Sequence, residues 1–210
     1  MSRKAAVLTG DIIQSSALSP DRRQQLPHTL TAAFGEVTRQ IPGFRAEQFR
    51  GDSFQAVISP EPELALRALM LLQALLHKEA FGVRIALGLG EVNFDSDSIL
   101  TSDGTAFQLS GPALDELKKK NQPVAILGHS DSFNKEWKVH ALSLSYLLQR
   151  WTIPQAEAVL AQLQGLTQEE TARDLQVKQP AVQQRLQATG WAVMDAILER
   201  FVTSVHADLL

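Results

Sequence analysis

Two aspartates follow a glycine in the first quarter of this 210-residue chain. Gly10-Asp11 ends one apolar run, and Gly51-Asp52 lies between two others. An aspartate at a strand end, joined by a second on a neighbouring β-hairpin, can hold a Mg²⁺ ion against a polyphosphate. Mg²⁺ takes one or two carboxylates at about 2.0–2.1 Å and fills its octahedron with water and substrate phosphates. Gly-Asp is also a common turn dipeptide, and an aspartate after a strand often caps the next element. The metal reading therefore needs the pair to converge. Other metal chemistries are poorly served. There is no cysteine, which excludes disulfides and thiolate-zinc sites. The five histidines (His28, His77, His129, His140, His206) include no i, i+4 pair.

The elements that must position the two aspartates can be read from periodicity. Ala5–Thr9 is a short apolar run, expected as a buried strand. Ser19-Pro20-Asp21 gives an N-cap, a proline at the first helical position and an acid in the first turn. That helix continues through Leu26, Leu30, Phe34 and Val37 and stops before Pro42-Gly43. Phe44–Phe49 and Phe54–Ile58 alternate and are joined by Arg50-Gly51-Asp52-Ser53, a hairpin signature. Pro60–Lys78 is expected as a second helix and Gly82–Leu89 as a strand running into Gly90-Glu91. A third helix passes through Leu109, Leu114 and Leu117 to Lys118-Lys119-Lys120, where cations suit the helix dipole. Val124–Leu127 is a last short strand. The order β-α-β-β-α-β predicts an α+β, ferredoxin-like sheet with an added helix and strand.

From about Ser132 no strand signal remains, and the chain reads as four or five helices. The expected division is a first domain over residues 1–130 and a helical one over 131–210. Composition is that of an ordinary globular protein, 44% hydrophobic and 20% charged. No apolar run has membrane-spanning length, and the N-terminus is too short in apolar residues for a signal peptide, so a cytoplasmic location is expected. The formal net charge is −3, which offers no overall basic face to nucleic acid. From Val139 on, five basic residues (Arg150, Arg173, Lys178, Arg185, Arg200) face seven acidic ones (Glu157, Glu169, Glu170, Asp174, Asp195, Glu199, Asp208). Any DNA contact must then be local or supported by dimerisation.

Four pieces of the first domain carry a family resemblance: Asp11-Ile12-Ile13, the hairpin Arg50–Val57, Val83–Val92, and the helix with Ala113-Leu114 and Leu117. In that order and spacing the domain resembles the palm-type catalytic domain of class III nucleotidyl cyclases and diguanylate cyclases. It is closer still to the SatD family, small bacterial proteins that join such a domain to a helical C-terminal part. The resemblance implies that Asp11 and Asp52, with the Ile12 carbonyl, ligate metals that clamp a nucleoside triphosphate. Two metals would neutralise charge building on transferring phosphoryl oxygens. The loop Gln14-Ser15-Ser16 would offer backbone N–H groups to phosphates, helped by the helix N-terminus, and Arg50 and Arg84 would add positive charge. The pattern also departs from the cyclases. No asparagine–arginine pair stands in Thr105–Lys118, where Gln108 and Lys118 are poor substitutes, and the GGDEF signature is missing. Glu91 could serve as a third carboxylate, though an exposed loop acid explains it as well.

In the second segment, Leu166–Leu186 has the pattern of a helix-turn-helix. Thr167 caps a helix, with Glu170 completing a capping box. Ala172 is small where helices cross, Leu175 and Val177 flank a turn, and Gln179-Pro180 starts a second helix with Val182 and Leu186 facing the first. Pro154–Leu163 supports them, and the module spans about 154–190. It resembles the region-4-like modules of sigma factors. Were it to read DNA, Lys178, Gln179, Gln183, Gln184 and Gln187 would project from the recognition helix and Arg185 would reach phosphate. The competing reading is a packing or dimerisation module, and Trp151, Trp191, Val193, Ile197, Leu198, Phe201 and Val202 are expected as core or subunit contacts. The resulting expectation is a regulator: a Mg²⁺-nucleotide-binding domain joined to a DNA-binding one, acting as a homodimer without membrane attachment. The alternatives are a nucleotidyltransferase or cyclase using the same aspartates, and an adaptor with neither activity.

Overall fold

A computed structural model describes residues 3–49, 51–93 and 98–209. Among these residues five strands form one sheet: β1 (Arg3–Ile12), β2 (Phe44–Phe49), β3 (Ser53–Ile58), β4 (Val83–Val92) and β5 (Val124–Leu127). Their order is β2-β3-β1-β4-β5. The first four pair antiparallel, and β5 adds parallel to β4. With α1 (Pro20–Gln40) after β1 and α2 (Ala65–Lys78) after β3, the path is the expected ferredoxin-like α+β one. The crossover α3 (Thr105–Lys120) leads to the added strand β5.

β1 is the central strand and is buried from Ala5 to Ile12. Side chains alternate across a sheet, and the two faces go to different partners. Ala6, Leu8 and Ile12 join the core beneath α1 and α2, whereas Ala5 and Val7 join Val92, Ile99 and Ala106 on the α3 side. Two glycines on β4 let α3 come close. A Cβ on Gly88 would sit 2.3 Å from the Ala106 carbonyl, and one on Gly90 2.4 Å from Thr105 Oγ1. This explains why β4 runs three residues beyond the expected end at Leu89. The glycines make room for a helix rather than ending the strand. Glu91 is accordingly an exposed strand residue, not a loop acid. The second helix starts at Ala65 rather than Pro60, after a 3₁₀ turn over Pro62–Leu64. Pro62 disfavours helical geometry at Glu61 before it.

Five helices follow: α4 (Asp131–Leu148), α5 (Ile153–Leu163), α6 (Gln168–Asp174), α7 (Gln179–Thr189) and α8 (Trp191–Leu209). α4 packs on β5, α5 on α2, and α7 on both α5 and α6. One hydrophobic cluster runs from Leu8 and Leu69 through Trp137 and Val159 to Phe201 and Val205. Trp137 is its hub, stacked on Phe133 and edge-on to Phe201 at 5.0 Å between ring centroids. α2 is buried nearly all round, as expected of a helix without a polar stripe. Trp151, Ile197 and Phe201 are core residues, Trp191 and Leu198 are half-buried, and Val193 and Val202 are exposed. No helix among the described residues is long and apolar enough to cross a membrane.

Candidate functional site

Asp11 is the next-to-last residue of β1, opposite Ser53 on β3 and Arg84 on β4. Directly opposed residues in an antiparallel sheet present their side chains on one face. That face is the α3 side, where Thr9 Oγ1 lies 2.8 Å from Ser110 Oγ. Eight residues, or about two helical turns, beyond Ser110, Lys118 reaches the Asp11 carboxylate: Nζ is 3.4 Å from Oδ2. Arg84 Nη1 lies 3.8 Å from Oδ1. Asp52 sits on the β2–β3 turn, whose Gly51 takes a φ of +80°. Its backbone carbonyl accepts the Ile12 N–H at 3.0 Å, which ties the hairpin turn to the end of β1. The Ser15 hydroxyl donates to Asp52 Oδ2, and the Ser53 hydroxyl to Oδ1 at 3.3 Å.

The Asp52 charge reaches the Asp11 carboxyl. Burial pushes the Asp11 carboxyl above its ordinary range, Lys118 and Arg84 pull it down, and the Asp52 charge adds to the upward push. Burial prevails. Asp11 is only 8% exposed, and its Oδ1 is buried without a hydrogen-bond partner. Arg84 Nε is in the same condition. A buried acceptor left open is costly unless water or an ion completes it. Among the described residues no three acidic or histidine side chains cluster as a full metal cage. Two carboxylates with an open acceptor do fit Mg²⁺, which takes its other ligands from water and phosphate. Asp11 and Asp52 would hold such an ion, and it would supply charge neutralisation for a polyphosphate.

The remaining expected residues fall into distinct groups. Gln14 adopts a left-handed conformation (φ 55°), and Ser15 begins a three-residue 3₁₀ turn, while α1 starts only at Pro20. The Ser16 carbonyl accepts from Arg23 at 3.0 Å. Arg84 is no solvated surface cation: its side chain is 12% exposed, and its Nη2 approaches Asn121 Oδ1 at 3.4 Å. Arg50 lies outside the described residues. Glu91 is seven residues from Arg84 along β4, about 23 Å at strand rise, so it stands far from Asp11. Lys118 is the residue that sequence reasoning undervalued, as a poor substitute in α3 for a cyclase residue. The available signal was its place in the last turn of a crossover helix, which returns the chain to the edge beside β4.

In the C-terminal segment the capping box is present, with the Thr167 N–H donating to Glu170 Oε2 at 2.8 Å and the Glu170 N–H to Thr167 Oγ1 at 3.2 Å. Lys178, Gln183, Gln184 and Gln187 are exposed. Gln179 instead donates to Gln168 Oε1 at 2.7 Å, and Arg185 pairs with Glu157 at 3.9 Å.

No protein-family model matches the sequence, and no curated protein matches it. Solved structures similar to the chain include a bacterial light-regulated adenylyl cyclase, at 16% identity and a TM-score of 0.48 over 60% of this chain and 76% of that one. The guanylyl cyclase Cya2 is 16% identical with a TM-score of 0.41 over 60% and 75% of the two chains. The adenylyl cyclase CyaB from P. aeruginosa is 16% identical with a TM-score of 0.39 over 55% and 73%.

Proposed function

We propose that this chain binds a Mg²⁺–nucleoside triphosphate at Asp11 and Asp52 and serves as a nucleotide-responsive regulator of the SatD type. The observation that carries the reading is the open, buried Oδ1 of Asp11 beside a second carboxylate whose charge it feels. Asp11 and Asp52 would take the ion, while Ser15 and Ser53 orient the Asp52 oxygens. Arg84 and Lys118 supply the cations next to which phosphate oxygens would lie. Binding is favoured over turnover because α3 offers no asparagine–arginine pair, and its sheet-facing Ser110 is already bonded to Thr9. Thermal melts with ATP, GTP, CTP and UTP, each with and without Mg²⁺, test this. A Mg²⁺-dependent rise with at least one nucleotide, lost in Asp52→Ala, is expected; no shift with any of them sinks the proposal. Release of pyrophosphate in the same samples would assign catalysis instead.

DNA is the proposed output. α7 contains no acidic residue, and it presents Gln183, Gln184 and Gln187 to solvent beside its exposed N-cap Lys178. Arg185, engaged with Glu157, contributes less than its sequence position suggests. A selected DNA pool should be retarded by the wild-type chain, weak binding at one module being reinforced in a homodimer, and released by Lys178→Glu with Gln183→Glu. Unaltered retardation in that variant would remove DNA reading by α7.

A further inference from the structure

The sheet ends at β5, and no further strand pairs with its outer edge among the described residues. A cavity of about 640 Å³ opens there between α3 and α4. All four β5 residues, Val124, Ala125, Ile126 and Leu127, line it. Successive side chains of a strand leave by opposite faces. A cavity that touches four in a row therefore straddles the strand's edge, where alternate N–H and C=O groups point outward. Leu117 of α3 and Leu142 of α4 stand among its apolar walls.

The rim is basic. Lys120, Lys135 and Lys138 line the opening against a single acid, Glu116. Lys120 and Lys135 pair only with exposed acids on their own helices, Glu116 and Asp131. Lys138 forms no ion pair among the described residues. An open edge strand is a template for adding another strand, and such additions draw affinity from main-chain bonds and specificity from alternate side chains.

We propose that this cleft binds an extended peptide segment of a partner protein, apolar at alternate positions and acidic at its flanks, which adds to the sheet beside β5. Four residues of edge span about 13 Å, enough for a short segment. Charge selects the occupant. A second copy docking edge to edge would set the same lysines against each other, whereas acidic flanks neutralise them.

A random decapeptide library panned on the intact chain tests the assignment, followed by amide hydrogen exchange with the enriched peptides. The expected peptides alternate apolar and polar residues, carry Asp or Glu at their flanks and protect the outward-pointing amides within Val124–Leu127. Lys138→Glu should weaken their binding at least tenfold while leaving the melting temperature unchanged. No enrichment, protection elsewhere, or indifference to Lys138→Glu would overturn the proposal. So would a concentration-dependent dimer in sedimentation that Leu127→Glu dissociates, because the occupant would then be a second copy.

Discussion

A methyl group on Gly10 would lie 2.3 Å from Cζ of Phe54, whose ring packs against Phe34 at 5.4 Å between centroids. Gly51, by contrast, has open space around it and a positive φ. The same dipeptide thus answers two needs, ring clearance on a strand and a left-handed turn, and the sequence does not distinguish them. Overpacking of this kind typically costs about 1–3 kcal/mol. Gly10→Ala should destabilise by that amount in urea unfolding, with Phe54→Leu recovering part of the loss in the double variant; strictly additive effects would contradict the ring-clearance account. The approach of the Asp52 turn to the end of β1 was legible because strand alternation and one hairpin bring them together. The Lys118 contact was not, since it depends on the length and tilt of a helix that starts nearly a hundred residues later. Its ammonium, 3.4 Å from Asp11 Oδ2, acts as a tethered counter-ion where a divalent ion would sit. Lys118→Met should therefore tighten Mg²⁺ binding to the nucleotide-free chain severalfold while weakening that of Mg²⁺-triphosphate. Calorimetric titration reads both, and a change of the same sign in the two would dismiss the role.

At the level of elements, α2 is the piece on which the others converge. Two of its buried or half-buried polar side chains meet backbone carbonyls: Gln73 donates to Val83 at 3.3 Å, and Arg67 to Leu163. Near its end His77 Nε2 lies 2.9 Å from the Trp151 carbonyl, a geometry that the neutral ring satisfies as donor. Burial lowers the His77 pKa, and the bond to Trp151, which raises it, is the smaller influence. The unfolded chain therefore binds the proton more readily, and stability increases with pH through this window. The contribution is complete above about pH 6.5, the ordinary histidine value, and is lost as pH falls below it through the folded value. Melting temperatures measured from pH 8 down to pH 5 should fall on the acid side, with a shallower decline in His77→Gln; parallel curves would exclude His77 as the source. Strand order and the hairpin were readable from alternation and turn residues. The continuation of β4 past Gly88 and Gly90 was not, because a glycine that admits a helix and a glycine that ends a strand look alike until the helix is placed.

Across the whole molecule, the change of pattern near residue 130 was visible in the sequence, but the sharing of a core was not. Apolar positions on α2, α4, α5 and α8 have the same helical spacing whether they pack within one segment or between two. Here they form one cluster with the sheet, and α2 is covered on its second side by α5. A core continuous in this way should unfold as one unit. The three tryptophans, Trp137, Trp151 and Trp191, all lie in the C-terminal half, whereas Asp11 and Asp52 lie in the first quarter. Tryptophan fluorescence therefore reports on helices that do not carry the site. A ligand at one hundred times its dissociation constant adds about 2.7 kcal/mol to whatever unfolds with its site. Under cooperative unfolding, Mg²⁺-nucleotide should move the fluorescence midpoint and the far-UV circular dichroism midpoint by equal amounts, and Asp52→Ala should cancel both shifts. A dichroism shift with an unmoved fluorescence transition would mean that the helical segment unfolds independently. Nucleotide occupancy could then reach α7 only through a rigid-body change, and not through the stability of the packing that connects it to the sheet.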